Sequence, residues 1–272
     1  DGSAQGVAIN GNYAYVADNA TGLAIIDISD PTNPGTPAYK DTNGFAQGVA
    51  ISGNYAYVAD GSSGLAIIDI SNPMSPGSPV YRATKGSAQS VTISGNYAYL
   101  GDSGGLAIID ISDPTNPGTP VYRDTNGSAY GVAVSGNYAY VANGSSGLAI
   151  IAISDPSNPG VPLYIDINGS PREVAISGNY AYVPSNMSGL FIIDISDPTN
   201  PGAPVFVDTF RRAAEEVTIN GNYAYGTVRG DGINNWDKYF MDISDPLNPG
   251  DAVLITGTTW EQLTGLTISG NY

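Results

Sequence analysis

Apolar and polar positions recur along this chain at a nearly constant interval. The triplet Gly-Asn-Tyr begins at positions 11, 53, 95, 136, 178, 221 and 270. Successive triplets are 42, 42, 41, 42, 43 and 49 residues apart, which gives six complete repeats and the start of a seventh. A period in the forties is typical of solenoid and propeller proteins, and the length of the apolar runs decides between helical and strand units.

The apolar pattern within one repeat predicts four short strands and no helix. In the second repeat, residues 48–52 form a β-branched run, and a Gly-Asn pair suited to a two-residue hairpin turn separates it from the alternating segment 55–60. Residues 65–70 are almost continuously apolar, which predicts a strand buried on both faces. A proline-rich segment then precedes a fourth strand at 80–84.

Small sheets that are apolar on both faces must be covered by a neighbour on each side, and radial repetition of four-stranded units provides that cover. We therefore predict an all-β fold, a single β-propeller domain over residues 1–272 with four-stranded antiparallel blades. The predicted repeats are 4–45, 46–87, 88–128, 129–170, 171–213, 214–262 and a partial unit at 263–272. Six blades could close a ring, but the partial unit favours seven, with the last blade completed by further residues, by another copy or by another chain.

Composition narrows the possible chemistry. The chain carries 9 Lys and Arg against 25 Asp and Glu, a net charge of -16, so nucleic acid and anionic membrane surfaces are expected to be repelled. Cys and His are both absent, which excludes disulfides, thiolate zinc sites and catalytic triads that use an imidazole base. No apolar run is long enough for a membrane-spanning helix. This composition favours an extracellular or cell-surface protein.

The segments GNYAYVAD and GLAIIDISDPTNPG, which return in most repeats, resemble the LVIVD repeat family of bacterial and archaeal surface proteins. The resemblance covers essentially the whole chain and is weakest in the sixth repeat, which reads YFMDIS and carries an insertion. It implies a propeller displayed outside the cell, and it implies no particular activity.

Residues that recur at one position of the repeat are predicted to be structural. Asp27, Asp69, Asp110, Asp194 and Asp242 precede a turn-rich loop whose backbone N–H groups they can cap, and the fourth repeat has Ala152 there. Asp18, Asp60 and Asp102 become Asn143 and Ser185 in later repeats, which indicates a turn preference. Tyr13, Tyr15 and their copies are predicted to pack between blades.

Function is predicted where the repetition is interrupted. The residues at the start of each first strand lie on one end of the propeller. In the early repeats they are uncharged, mostly Gln followed by Gly, but they change to Arg172 and Glu173 in repeat five and to Glu215 and Glu216 in repeat six. Loops on a rigid scaffold commonly carry function. The predicted ligand-binding residues at this end are Arg172, Glu173, Arg211, Arg212, Glu215, Glu216, Arg229, Asn234, Asn235, Trp236 and Trp260. A purely structural role, with the charges paired among themselves, is the competing interpretation.

Three classes of function remain open. The leading one is a non-enzymatic surface scaffold or adhesion module that binds other surface proteins. The second is a glycan-binding module, with Ca²⁺ as a possible cofactor held by Asp231, Asn234 and Asp237. The third is a glycoside hydrolase or lyase using the acidic residues, which we disfavour because nearby arginines are expected to keep those acids ionised.

Overall fold

The computed structural model describes residues 2–186, 189–210, 213–229 and 236–255, with only the backbone of Trp236. Its regular structure consists of strands and one short 3-10 turn at Gly144–Ser146. The chain divides into two compact units, one formed by residues 1–124 and 155–159 and the other by residues 125–154 and 160–272. The described residues contain no helix with the length and apolar character needed to cross a membrane.

The first unit contains three four-stranded antiparallel sheets, which are blades one to three. Blade one consists of β1 (Gly6–Asn10), β2 (Tyr13–Ala17), β3 (Leu23–Asp27) and β4 (Ala38–Lys40). Blade two consists of β5 (Gly48–Ser52), β6 (Tyr55–Ala59), β7 (Leu65–Asp69) and β8 (Val80–Arg82). Blade three consists of β9 (Ala88–Ser94), β10 (Tyr97–Asp102), β11 (Gly105–Asp110) and β12 (Val121–Arg123).

The second unit contains blades four to six, built in the same order. Blade four consists of β13 (Val132–Ser135), β14 (Tyr138–Ala142), β15 (Leu148–Ala152) and β16 (Leu163–Ile165). Blade five consists of β17 (Ala175–Ser177), β18 (Tyr180–Ser185), β19 (Gly189–Asp194) and β20 (Val205–Val207). Blade six consists of β21 (Ala214–Asn220), β22 (Tyr223–Arg229), β23 (Trp236–Asp242) and β24 (Val253–Ile255).

The β-propeller prediction is confirmed, but the preference for seven blades is wrong. The described residues form six blades, and each blade takes all four strands from a single repeat. No blade among them depends on a strand from the following repeat or from another chain. Residues 263–272, where we expected the first strand of a seventh blade, lie outside the described residues.

The hairpin between the first and second strands is set by glycine. Gly11, Gly53, Gly95, Gly136, Gly178 and Gly221 all have φ between 54° and 58°. Only glycine adopts this left-handed conformation without a steric penalty, and the Asn that follows each of them does not share it. Glycine at the first central position is the pattern of a tight two-residue turn, as the sequence predicted.

Neighbouring blades pack face to face through their second and third strands. In the first unit, Tyr15 and Ile25 of blade one belong to the same apolar cluster as Val58 and Ile68 of blade two. Leu65, Ala66, Ile67 and Ile68 are consecutive and all at most 1% exposed, so both faces of β7 are covered. The predicted packing role is confirmed for Tyr15, which is 2% exposed, and Tyr13 packs partly buried against the same cluster. Tyr223, the copy of Tyr13 in repeat six, is 41% exposed.

The first strands of neighbouring blades approach closely where each strand begins. A Cβ atom added at Gly48 would lie 3.2 Å from the Cα of Ser90 in the next blade. One added at Gly131 would lie 2.7 Å from the backbone oxygen of Arg172. Glycine at these two positions therefore allows the first strands of neighbouring blades to pack closely.

We expect Gly131→Ala to lower the free energy of unfolding by about 1–3 kcal/mol, because its methyl group would collide with backbone of blade five. Gly48→Ala should cost less, since its methyl group would meet blade three at 3.2 Å. Urea unfolding followed by circular dichroism measures both values. Equal losses in the two variants would contradict this steric explanation.

Candidate functional site

The structure supports the alignment of Gln89 with Glu215 at the start of the first strand. In blade three, the pairing of β9 with β10 skips Gln89, and in blade six the pairing of β21 with β22 skips Glu215. Both residues are therefore the extra residue of a β-bulge at the same place in the repeat. Bulges re-aim side chains, so Glu215 is displayed where the early blades display glutamine.

Arg172, which starts blade five, is exposed and lies over an aromatic ring of blade four. Its guanidinium carbon is 5.1 Å from the ring centroid of Tyr130, a distance typical of a cation–π contact. Tyr130 occupies the position equivalent to Arg172 in the preceding repeat. Sequence reasoning left Tyr130 out of the binding residues, although its departure from the repeated glutamine was the available signal.

Glu173 turns toward blade six. Its Oε2 accepts a hydrogen bond of 3.3 Å from the backbone N–H of Val217 on β21. Among the described residues Glu173 has no partner in a β-ladder. The strand β17 begins only at Ala175, and the neighbouring strand β18 carries Pro184, which has no N–H to donate. Part of Glu173 remains exposed, but its carboxyl group is enclosed.

The surroundings of Glu173 favour its neutral form. Withdrawal from water, reinforced by the negative charge of Glu216, raises the pKa of Glu173 to about 8, and the hydrogen bond from Val217 opposes the shift only in part. Loss of water also raises the pKa of Glu215, although Arg172 and Arg229 act in the opposite direction. For Glu215, loss of water therefore outweighs the charges of Arg172 and Arg229, so its pKa shifts opposite to the direction expected from the arginines, and Arg211 and Arg212 lie outside the described residues.

The remaining predicted site residues are only partly described. Glu216 lies on β21 and Arg229 ends β22, so both join the same end of blade six as Glu215. Trp236 begins β23, but its side chain lies outside the described residues, as do Arg211, Arg212, Asn234, Asn235 and Trp260.

Of the predicted metal ligands, Asp237 is buried on β23, whereas Asp231 and Asn234 are outside the described residues. No group of three or more acidic residues in the described ranges is arranged to hold a metal ion.

The repeated aspartates at the end of the third strand are loop caps, as predicted. Asp27 Oδ1 accepts a 2.9 Å hydrogen bond from the N–H of Ser29, and Asp69 Oδ1 accepts the same hydrogen bond from the N–H of Ser71. This backbone hydrogen bond holds the pKa of each aspartate below its usual value. These carboxylates serve their own loops.

The polar residues that end the second strand have a larger role than the predicted turn preference. Asp60 is fully buried and accepts hydrogen bonds from Thr42 Oγ1 at 2.6 Å and from the N–H of Gly44 at 2.9 Å. Thr42 and Gly44 belong to the connection arriving from blade one. Asn143 holds Thr125 in the same way in the second unit. These residues tie one blade to the next.

Comparison with known families identifies the repeat. The LVIVD repeat matches residues 1–38, 43–78, 85–121, 126–164, 168–209 and 211–252. This chain belongs to the LVIVD repeat family. A search of curated proteins finds no match.

Solved structures similar to this LVIVD protein show the fold alone. The computationally designed Ika8 protein has a TM-score of 0.74 at 12% identity, over 98% of this chain and 78% of its own. The β-propeller domain of Myceliophteria thermophila Cps50 (Swd1) has a TM-score of 0.74 at 12% identity, over 97% and 90%. A protein from Bacteroides uniformis, assigned provisionally as a 6-phosphogluconolactonase, has a TM-score of 0.68 at 15% identity, over 92% and 80%.

Asp60→Ala should lower the free energy of unfolding by about 1–3 kcal/mol, because Thr42 and Gly44 lose a buried acceptor. The matched variant Asp69→Ala should cost much less, since its carboxylate is exposed and water can replace it. Chemical denaturation of both variants gives the comparison. A loss at Asp69 as large as that at Asp60 would contradict the division between blade ties and loop caps.

The raised pKa of Glu173 predicts a pH dependence of stability. Between about 4.5, the ordinary value, and about 8, the folded protein holds a proton that the unfolded chain releases. This contribution therefore stabilises the protein at low pH and is lost as pH rises through that window. Glu173→Gln should remove it, so the variant should gain stability relative to the wild type as pH rises from 5 to 8. Parallel melting curves in buffer free of divalent cations test this, and a constant difference between the two proteins would refute it.

Proposed function

We propose that this LVIVD protein is a non-enzymatic interaction module displayed outside the cell, where it acts as a scaffold or adhesion protein. The binding surface consists of Tyr130, Arg172 and Glu215, at the starts of blades four, five and six. The propeller supplies a rigid frame, and the departures from the repeat supply the recognition chemistry. Absence of cysteine suits an oxidising extracellular setting, because it removes reactive thiols.

This proposal rests on the exposure and the contacts of the Arg172 side chain. Its guanidinium is exposed and held against the Tyr130 ring, and within the described part of the chain it donates no hydrogen bond. A planar guanidinium with available donors recognises carboxylates and other planar acceptors. Stacking on Tyr130 restricts its motion, which reduces the entropy lost on binding a partner.

A glycan-binding module is the second candidate. A stacked arginine beside a carboxyl group can pair with sugar hydroxyls or with the carboxylate of an acidic sugar. Ca²⁺ held near the insertion that precedes β23 would make such binding sensitive to a chelator. A glycan array probed with and without EDTA tests both points.

A glycoside hydrolase or lyase is less well supported, even though the raised pKa of Glu173 is of the kind that a general acid requires. The Glu173 carboxyl accepts a hydrogen bond from the backbone of blade six and is enclosed between blades, whereas a general acid must reach the bond that it protonates. Release of reducing sugar from a polysaccharide panel, lost in Glu173→Gln, would favour the enzyme and count against the scaffold.

Arg172→Ala should abolish retention of the partner on immobilised protein, because it removes the exposed donors without touching the blade core. The matched control is Gln47→Ala, the equivalent position in blade two, which should retain the partner. Cross-linked pull-downs from native surface material, and the glycan array, provide the two readouts. Equal retention by both variants would rule out this surface as the binding site.

A further inference from the structure

Three departures from the repeat lie in the interface between blades five and six, apart from the surface proposed above. Glu173 replaces the glycine found at Gly6, Gly48 and Gly131, and it faces blade six. On β22, Gly226 replaces a residue that is otherwise Val16, Val58, Leu100, Val141 or Val183. On β23, Tyr239 replaces Ala24, Ala66, Ala107, Ala149 or Phe191.

Gly226 makes room for the Tyr239 ring. The two residues are directly paired across β22 and β23, and a Cβ atom at Gly226 would lie 2.4 Å from Tyr239 Cζ, the atom that carries the hydroxyl. A valine, as in the other blades, would collide with the ring. The tyrosine therefore crosses the second strand and extends its hydroxyl toward the first strand, β21.

The Tyr239 hydroxyl and the Glu173 carboxyl approach the same strand. Val217 pairs with Gly226 across β21 and β22, and it is the N–H of Val217 that donates to Glu173 Oε2. Tyr239 and Val217 share the apolar cluster that blade six forms with Tyr182 and Ile192 of blade five. Both oxygens therefore lie between these two blades.

Tyr239 has an unmet hydrogen-bonding requirement. The residue is 1% exposed, and its hydroxyl oxygen has no hydrogen-bond partner among the described residues. A buried hydroxyl without a partner costs about 1–3 kcal/mol, and such a group in a native protein calls for a bound water or ion. Two acidic residues, Glu173 and Glu216, lie close enough in this interface to influence each other electrostatically, so the interface also supplies negative charge.

We propose that the Glu173 carboxyl and the Tyr239 hydroxyl together bind a hard cation, for which Ca²⁺ is the probe. Oxygen is the donor that both residues offer, and the chain has no His or Cys to favour a softer metal. A cation takes the phenolic oxygen as a ligand and reduces the repulsion between the carboxylates of Glu173 and Glu216. A water molecule would satisfy the hydroxyl but would leave the two carboxylates repelling each other. With two protein ligands and water for the rest, the dissociation constant is expected at about 10⁻⁴–10⁻³ M.

Thermal melting with CaCl2 at about ten times the dissociation constant should raise the Tm of the wild type by about 3 °C. NaCl at equal ionic strength controls for screening of the net charge. Glu173→Gln and Tyr239→Phe, which keep the size of each side chain, should lose the shift. Glu215→Gln removes a neighbouring carboxylate that is not a proposed ligand and should keep the shift. Asp231→Asn removes a carboxylate that the sequence predicted as a metal ligand and should also keep it.

A second readout does not depend on stability. Tb³⁺ replaces Ca²⁺ in oxygen sites and emits when a nearby tyrosine is excited. Emission should therefore be lower in Tyr239→Phe than in the wild type. Excess CaCl2 should lower the emission of the wild type, because it displaces the bound Tb³⁺. Melting curves without added metal establish that each variant is folded.

The proposal is overturned by a wild type whose Tm does not respond to CaCl2 beyond the NaCl control. It is also overturned if the shift persists in both Glu173→Gln and Tyr239→Phe, or disappears in Asp231→Asn. None of these measurements uses the proposed partner, so their result is independent of the scaffold function.

Discussion

Blade-on-blade packing is the interaction on which this structure depends. The third strand of each repeat is apolar at consecutive positions, so neither face of a blade can be left in water. A single blade would expose that surface, and the adjacent blade covers it, as blade two covers blade one. The close approach of first strands at Gly48 and Gly131 and the buried tie from Asp60 to Thr42 follow from this packing, because both occur where one blade meets the next.

The repeats act as internal controls for one another. Asp27 and Asp69 make the same loop contact. Ala152 replaces them in blade four, where the strand is kept and the N–H of Gly160 still donates to the Ala152 carbonyl as the equivalent glycines do in the other blades. A position that tolerates such replacement is structural and local. By contrast, Tyr130 and Arg172 depart from the repeat in consecutive blades and contact each other, as do Gly226 and Tyr239 within blade six. Departures that fit one another indicate selection for an arrangement and not drift at single positions.

Loss of water, more than the charge of nearby arginines, determines the direction of the pKa shifts of Glu173 and Glu215 in blades five and six. Counting charges along the sequence suggested that arginines would keep the glutamates ionised. In the folded protein, Glu173 faces the backbone of blade six and loses water, and this effect raises its pKa above that of an exposed acid. Glu215 shows the same direction even with Arg172 and Arg229 nearby. The repulsion between a buried carboxylate and a second one beside it can be reduced by binding a proton or by binding a cation. The interface of blades five and six allows each of these two effects to be measured.

The sequence by itself determined the repeat, the four strands of each blade, the glycine turns and the propeller class, because these depend on local periodicity and on the left-handed conformation that glycine allows. It also located the departures at Arg172, Glu173 and Glu215. Only the tertiary structure decided that six blades form from the described residues, that Arg172 lies on Tyr130, and that Glu173 turns toward Val217 and Tyr239. Those facts depend on which residues of different repeats come into contact, and linear spacing does not contain that information.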